Sequence, residues 1–162
     1  MAAHAAQDQA AREGFRSKIV DLNLRGEARE AGLQLAKILD RERQRAQASF
    51  CWIAGGETTV KLRGPGRGGR NQELALAAVE PLAGLPNTLF ITLASDGEDG
   101  PTDSAGAVVT GATRDQAEAL GLSASEYLAQ NDSHAFFEPL HYLIRCGYTG
   151  TNVNDLVLMA GL

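Results

Sequence analysis

The feature that most constrains the fold is the segment Asn87-Thr-Leu-Phe-Ile-Thr-Leu-Ala94, which is nearly all apolar and of strand length. A strand that reads as a continuous apolar run is buried on both faces, which requires helices above and below the sheet. A second run, Ser49-Phe-Cys-Trp-Ile-Ala54, has the same character. Together the two runs predict an α/β fold in which the first run is a central strand of the sheet.

Hydrophobic periodicity predicts the remaining elements. Helical spacing of apolar residues is found over residues 2–14, 25–45, 71–82, 114–120, 125–130 and 133–143. Further strands are predicted over residues 15–24, 58–63, 105–110 and 156–159. Residues 131–133, Asn-Asp-Ser, have the composition of an N-cap for the last helix.

Length and composition are those of one globular domain, with 162 residues of which 44% are apolar and 22% charged. A net charge of −5 and the absence of a lysine-rich run argue against nucleic acid as a partner. No segment approaches eighteen consecutive apolar residues, and the first residues do not resemble a signal peptide. We therefore expect no membrane association and a cytoplasmic location.

A glycine-rich loop, Gly64-Pro-Gly-Arg-Gly-Gly-Arg-Asn-Gln-Glu73, leads directly into the helix predicted over residues 71–82. Free N–H groups and the positive dipole end of a helix favour anions, and glycines allow close approach of the backbone to a ligand. Arg67 and Arg70 add charge and planar donor groups suited to carboxylate or phosphate oxygens. The loop therefore predicts an anion site, although a surface connection with two solvated arginines fits the same residues.

The predicted central strand ends in an acidic loop, Ser95-Asp-Gly-Glu-Asp-Gly-Pro-Thr-Asp103. Ligands of open α/β sheets bind at the carboxyl ends of the strands. Asp96, Asp99 and Asp103 are candidates for a divalent cation site, and one of them for a catalytic base. The spacing does not fit an EF-hand, and simple turn chemistry is the alternative explanation.

The glycines also match a dinucleotide fingerprint, Gly64-x-Gly66-x-x-Gly69, so an NAD(P)-dependent enzyme is a second hypothesis. Arginine inside the turn and the lack of a clear ribose-binding acid after the next strand tell against it. No Gly-Lys-Ser/Thr follows the glycines, so there is no Walker loop. The three histidines, His4, His134 and His141, lack ligand spacing and are interpreted as surface or structural residues.

Four motifs, Gly55–Val60, Gly66–Glu73, Ser95–Asp103 and Thr149–Asp155, occur in the order found in the MOFRL domain, which this sequence resembles. That domain is the C-terminal part of the ATP-dependent glycerate 2-kinase family, whose members were often labelled hydroxypyruvate reductases. The resemblance implies a three-layer α/β/α fold with a mixed, largely parallel sheet. It places the domain over residues 49–162, preceded by a segment over 1–48 that packs on the same core. It also implies a partner, an N-terminal Rossmann-like domain that supplies a catalytic lysine, with the active site in the cleft between the two.

The resemblance further implies phosphoryl transfer from ATP, with Mg²⁺, to glycerate. It assigns catalysis to Arg70 and Asp96. The candidate substrate-binding residues are Arg67, Asn71, Glu57 and Asn154, and the candidate metal ligands are Asp99 and Asp103. No lysine of this chain lies in a matching motif, so we expect the chain to be inactive alone. The alternatives are an NAD(P)H-dependent hydroxypyruvate reductase and a non-catalytic docking module.

Overall fold

The computed structural model describes residues 2–162. In chain order its elements are α1 (Ala2–Arg12), β1 (Arg16–Leu24), α2 (Ala28–Arg45), β2 (Phe50–Gly56), α3 (Arg70–Leu82), β3 (Thr88–Ala94), β4 (Gly106–Thr110), α4 (Thr113–Ala119), α5 (Ala124–Ala129), α6 (Ser133–Phe137), β5 (Leu143–Ile144) and β6 (Asp155–Gly161). The strands form one sheet in the order β1-β2-β6-β3-β4-β5. The predicted α/β class and the central position of β3 are confirmed.

The sheet is mixed, as predicted, but the expectation that it is largely parallel is wrong. Within the described residues only β1 and β2 pair in parallel, and the other four strand pairs are antiparallel. The last strand, β6, inserts between β2 and β3 and runs against both. Residues 95–105 between β3 and β4 are too few for the helical crossover that a parallel pair requires, so β4 returns antiparallel.

Helices cover both faces of the sheet. On one face α2 and α3 pack against each other and against the large buried side chains Phe50, Phe90 and Met159. On the other face α1 packs against β1 and β2. Beside α1, an apolar groove of about 300 Å³ includes the partly exposed Leu89, Ile91 and Leu158. The second helical layer is therefore less complete than the first.

Two predicted elements are wrong. Residues 58–63 form no strand, because Thr59 instead bridges to the start of α2 through Gly26 O and Ala28 N. The helix predicted over 133–143 ends at Phe137, and Leu143–Ile144 pairs with β4 instead. Pro139 accounts for the early end, because proline has no N–H to continue the helical hydrogen bonds and its ring clashes with the carbonyl four residues earlier.

The segment before residue 49 belongs to the same packed body as the rest of the chain. Ala28, Leu35 and Leu39 of α2 are fully or almost fully buried in the core that α3 and the sheet also form. The domain boundary predicted at residue 49 stays a prediction. Within residues 2–162, no helix combines the length and apolar character needed to cross a membrane.

The α2–α3 contact depends on a glycine. A Cβ atom at Gly32 would lie 2.2 Å from Leu74 O. Gly32→Ala should therefore push the helices apart, and overpacking of this kind costs about 1–3 kcal/mol, more than the ~1 kcal/mol that alanine gains in helix propensity. We expect a lower melting temperature by calorimetry, while Gln34→Ala on the exposed side of α2 should leave it nearly unchanged. A Gly32→Ala protein as stable as wild type would contradict this account.

Candidate functional site

The amino terminus of α3 binds a carboxylate that belongs to the chain itself. Asp99 Oδ1 accepts hydrogen bonds from Asn71 N at 3.0 Å and Asn71 Nδ2 at 3.3 Å, and Oδ2 accepts from Gln72 N at 2.8 Å and Gln72 Nε2 at 3.2 Å. Asp99 is 1% exposed, and this burial raises its pKa although the amide hydrogen bonds act in the opposite direction. Asp99 thus occupies two of the backbone amides predicted to bind a ligand anion, those of Asn71 and Gln72.

The other side of the glycine loop is bonded to the turn between α5 and α6. Asn131 Oδ1 accepts from Arg63 N at 2.5 Å and Gly64 N at 3.1 Å, and Asp132 Oδ1 accepts from Arg67 N at 2.9 Å. The side chain of the N-cap residue, Asp132, makes no cap hydrogen bond with α6. The residues predicted to cap the last helix therefore bind the glycine loop instead.

Glycine is required in this loop by packing against protein. A Cβ atom at Gly69 would lie 2.3 Å from Asp99 Cγ. The close backbone approach that the sequence suggested for a ligand is made by the acidic loop.

Arg70 is the first residue of α3 and has two carboxylate partners. Its Nε lies 2.5 Å from Asp155 Oδ2 and its Nη2 3.0 Å from Asp155 Oδ1, while its Nη1 lies 3.3 Å from Glu57 Oε1. The hydrogen bond with Asp155 is the main reason why the pKa of Arg70 is raised. Asp155 begins β6 and is in register with both Gly56 of β2 and Ala94 of β3, so the pair lies at the edge where β2 and β3 end.

Glu57 and Asn154 both line a groove of about 460 Å³ at this edge, together with Leu22–Gly26 and Gly56–Thr59. The predicted site residues Arg70, Glu57 and Asn154 are thereby brought close together. Arg67 is exposed and donates from Nε to Pro101 O at 3.1 Å, so it contacts the acidic loop and neither of the partners of Arg70. Asn71 is 1% exposed, and its side chain donates a hydrogen bond to Asp99. Its predicted contact with substrate stays a prediction.

Asp96 follows β3 at the same edge and is partly exposed. Its Oδ1 accepts from Glu98 N at 3.2 Å, and its Oδ2 accepts from Asn152 Nδ2 at 3.3 Å. The loop before β6 lies over it, because Thr149 N donates to Asp96 O at 3.0 Å. The carboxylate is oriented by this loop and remains accessible.

Asp103 lies elsewhere, on the surface between Arg145 and His134. Arg145 Nε lies 3.0 Å from Oδ2 and His134 Nε2 lies 3.3 Å from Oδ1. The hydrogen bond from Arg145, followed by that from His134, lowers the pKa of Asp103 to about 2. Among residues 2–162, no group of three or more His, Cys, Asp or Glu side chains is placed to hold a metal ion. Metal binding by Asp99 and Asp103 stays a prediction.

Sequence reasoning missed Asp155 and a cluster of buried charges behind the glycine loop. Glu73 accepts from Arg29 Nη2 at 2.8 Å and from Asn131 Nδ2 at 2.7 Å. Glu27 accepts from Arg63 Nη2 at 2.7 Å and lies 3.1 Å from Arg29 Nε. Asp155 and Glu73 are each the last residue of one of the four motifs, and this position was the signal that could have identified them. Their sequence neighbours do not show which residues they pair with.

The fold and the site define a class: a three-layer α/β domain that gathers one arginine and several carboxylates at one edge of its central sheet. The model of the MOFRL family matches residues 50–155, and the chain belongs to this family. The resemblance seen in the motifs is thereby confirmed.

The relatives carry kinase names. The chain is 42% identical over 159 residues to the D-glycerate 2-kinase of Thermotoga maritima, covering 94% of this chain and 37% of that protein. It is 50% identical over 116 residues to the glycerate kinase of Homo sapiens, covering 67% of this chain and 22% of that protein. The crystal structure of glycerate kinase from T. maritima matches with a TM-score of 0.96 at 39% identity, over 99% of this chain and 39% of that one. The chain thus spans well under half of the relatives that it matches.

The cap on α3 gives a stability prediction. Asp99→Ala removes the acceptor of the buried N–H groups of Asn71 and Gln72, and unsatisfied buried donors cost about 1–3 kcal/mol each. The desolvation of Asp99 offsets part of this, so we expect a loss of about 3 kcal/mol in urea unfolding. Glu98→Ala, an exposed change in the same loop, should stay within about 0.5 kcal/mol. Equal stability of the two variants would exclude Asp99 as the main cap.

The lowered pKa of Asp103 gives a pH prediction. A carboxylate whose pKa is lower in the folded state stabilises the fold above its unfolded value, and this contribution is lost as the pH falls through the folded value. The ordinary value is 3.8 and the folded value about 2. The stability advantage of wild type over Asp103→Asn should be constant above about pH 5 and vanish towards about pH 1. Urea unfolding across this range measures it, and an advantage independent of pH would disprove the assignment.

Proposed function

We propose that this chain is the C-terminal part of an ATP-dependent glycerate 2-kinase. In the proposed reaction the C2 hydroxyl oxygen of D-glycerate attacks the γ-phosphorus of ATP. The bond from that phosphorus to the β–γ bridging oxygen breaks, ADP leaves, and the hydroxyl proton passes to a base. The names of the relatives support the reaction, and the orientation of Arg70 at the sheet edge is the observation on this chain that carries it.

Phosphoryl transfer depends on positioning and on neutralising the charge of oxygen atoms. Arg70 suits this task because its guanidinium is fixed by a two-point contact with Asp155 and is still 28% exposed. A fixed donor needs little reorganisation when negative charge develops near it. In the proposed reaction Arg70 binds the carboxylate of glycerate or an oxygen of the transferred phosphoryl group.

Asp96 is the aspartate of the acidic loop that fits Mg²⁺. Mg²⁺ is usually held by one or two carboxylates together with water and phosphate oxygens, and Asp96 offers a partly exposed carboxylate. Bound with ATP, Mg²⁺ would neutralise charge on the phosphate oxygens. Asp99 does not fit, because both of its oxygens accept amide hydrogen bonds in a buried position. Asp96 is also available to accept the hydroxyl proton, because its carboxylate is partly exposed.

The amino terminus of α3 is a poor site for the triphosphate, because the buried carboxylate of Asp99 already lies there and accepts from the N–H groups of Asn71 and Gln72. We therefore assign most of the binding of ATP to the part of the longer protein that lies outside this chain. The same contact argues against the dinucleotide-dependent reductase, since a Rossmann glycine loop places the pyrophosphate at the helix terminus that Asp99 fills.

The third hypothesis, a docking module, is favoured by the apolar groove of about 300 Å³ beside α1. Contiguous apolar surface often marks a contact with another protein segment. Docking is compatible with a kinase, because the chain covers 37% of the T. maritima enzyme and the rest of such a protein must contact it somewhere.

A chimera tests the kinase. The matching segment of the T. maritima D-glycerate 2-kinase is replaced by this chain, and ADP formation is followed with D-glycerate and ATP. We expect activity in the chimera and none in the 162-residue chain alone. Arg70→Ala in the chimera should lower kcat/KM about tenfold to a thousandfold, the scale of losing a positioned charge donor.

Arg114→Ala is the matched control, because within residues 2–162 Arg114 forms ion pairs only with surface carboxylates of its own helix. It should leave kcat/KM within about twofold of the unsubstituted chimera. Oxidation of NADH with hydroxypyruvate, without ADP formation from glycerate, would favour the reductase. A folded but inactive chimera would favour the docking module.

A further inference from the structure

The two carboxylate partners of Arg70 are unlike. Asp155 binds Nε and Nη2 together, at 2.5 and 3.0 Å, and its side chain is 9% exposed. Glu57 contacts only Nη1, at 3.3 Å, and its side chain is 58% exposed. Two-point contacts between arginine and a buried carboxylate are strong, whereas one-point contacts with an exposed carboxylate contribute little. An incoming anion will therefore replace Glu57 far more readily than Asp155.

The position of Asp155 reinforces this difference. As the first residue of β6 it is fixed by pairing with β2 on one side and β3 on the other. Glu57 follows the end of β2 and lines the groove of about 460 Å³. Arg25 lines the same groove and makes no ion pair with any described residue, 2–162, so a second cation lies near an anion that takes the place of Glu57.

We propose that Glu57 occupies the Nη1 edge of Arg70 in the absence of ligand and is displaced by the incoming anion, and that Asp155 is the positioning residue that keeps this edge exposed. The ligand class is a small carboxylate or phosphate, whose oxygen takes the place of Glu57 Oε1. The identity of the anion rests on the proposed function, but its binding does not.

The experiment is a titration of the 162-residue chain with D-glycerate and, separately, with inorganic phosphate, followed by NMR of the arginine side-chain N–H signals. Glu57→Gln removes the competing carboxylate and should tighten anion binding about three- to tenfold. Glu98→Gln removes an exposed charge from the acidic loop and serves as the matched control, with an expected change below about twofold. An equal gain in both variants would reduce the effect to general electrostatics and overturn the proposal.

Asp155→Asn separates a positioning role from a general electrostatic effect. It removes one negative charge beside Arg70, as Glu57→Gln does, so electrostatics alone predicts tighter binding for both. If Asp155 positions Arg70, its variant should bind the anion more weakly than wild type and lose the slowly exchanging Nε–H signal of Arg70. Asp155→Glu, which keeps a carboxylate, should restore that signal in part. Tighter binding by Asp155→Asn would overturn the positioning role.

The remaining outcomes are also decisive. If neither wild type nor Glu57→Gln binds either anion at 50 mM, roughly the range in which single ion pairs act, the displacement of Glu57 is excluded. If Asp155→Asn does not fold, comparing the anion affinities of Glu57→Gln and Glu98→Gln still tests whether the anion displaces Glu57. Anion binding at Arg70 without kinase activity in the chimera would refute the proposed function and leave the displacement of Glu57 standing. Kinase activity in the chimera, together with unchanged anion binding by Glu57→Gln, would support the proposed function and refute the displacement of Glu57.

Discussion

The structure depends on one buried carboxylate. Asp99 takes the N–H groups of Asn71 and Gln72 together with their side-chain amides, and so joins the loop after β3 to the start of α3. A charge buried to this degree is costly unless it is fully hydrogen-bonded, and the positive end of α3 adds to the compensation. Because Arg70 directly precedes these two residues, the same contact fixes its backbone relative to the central strand.

A second set of charges fixes the other side of the glycine loop. Glu27 and Glu73 share Arg29, while Asn131 joins Glu73 to the backbone of Arg63 and Gly64. The loop is thus bonded to α2, α3 and the turn before α6. It differs in this respect from a glycine loop that closes on a phosphate, since several of its backbone N–H groups, including those of Arg67, Asn71 and Gln72, already donate within the protein. What it presents to a ligand is the guanidinium of Arg70, and the rigidity of its support suits a donor that must be in position before the reaction.

Most elements could be predicted because their periodicity was strong. The buried strands β2 and β3 and the apolar faces of α2 and α3 follow directly from the spacing of apolar residues. The failures have local causes. Residues 58–63 alternate like a strand, but β1 occupies one neighbouring edge and β6 the other, so no edge of β2 is left for them. The apolar pattern over 133–143 continues past Pro139, but the missing N–H of this proline ends the helical hydrogen bonds.

The sequence by itself determined the class of fold and the kinds of chemical group at the site: an arginine at the start of a helix, and aspartates after a buried strand. It did not determine which groups meet. Arg70 and Asp155 are 85 positions apart, and Asn71 and Asp99 are 28 apart. Such pairs depend on strand order, and here the decisive step is the insertion of β6 between β2 and β3, which brings Asp155 to Arg70. Local periodicity reports which face of an element is buried, but the energy that selects a neighbour comes from packing between distant segments, and only the tertiary structure contains it.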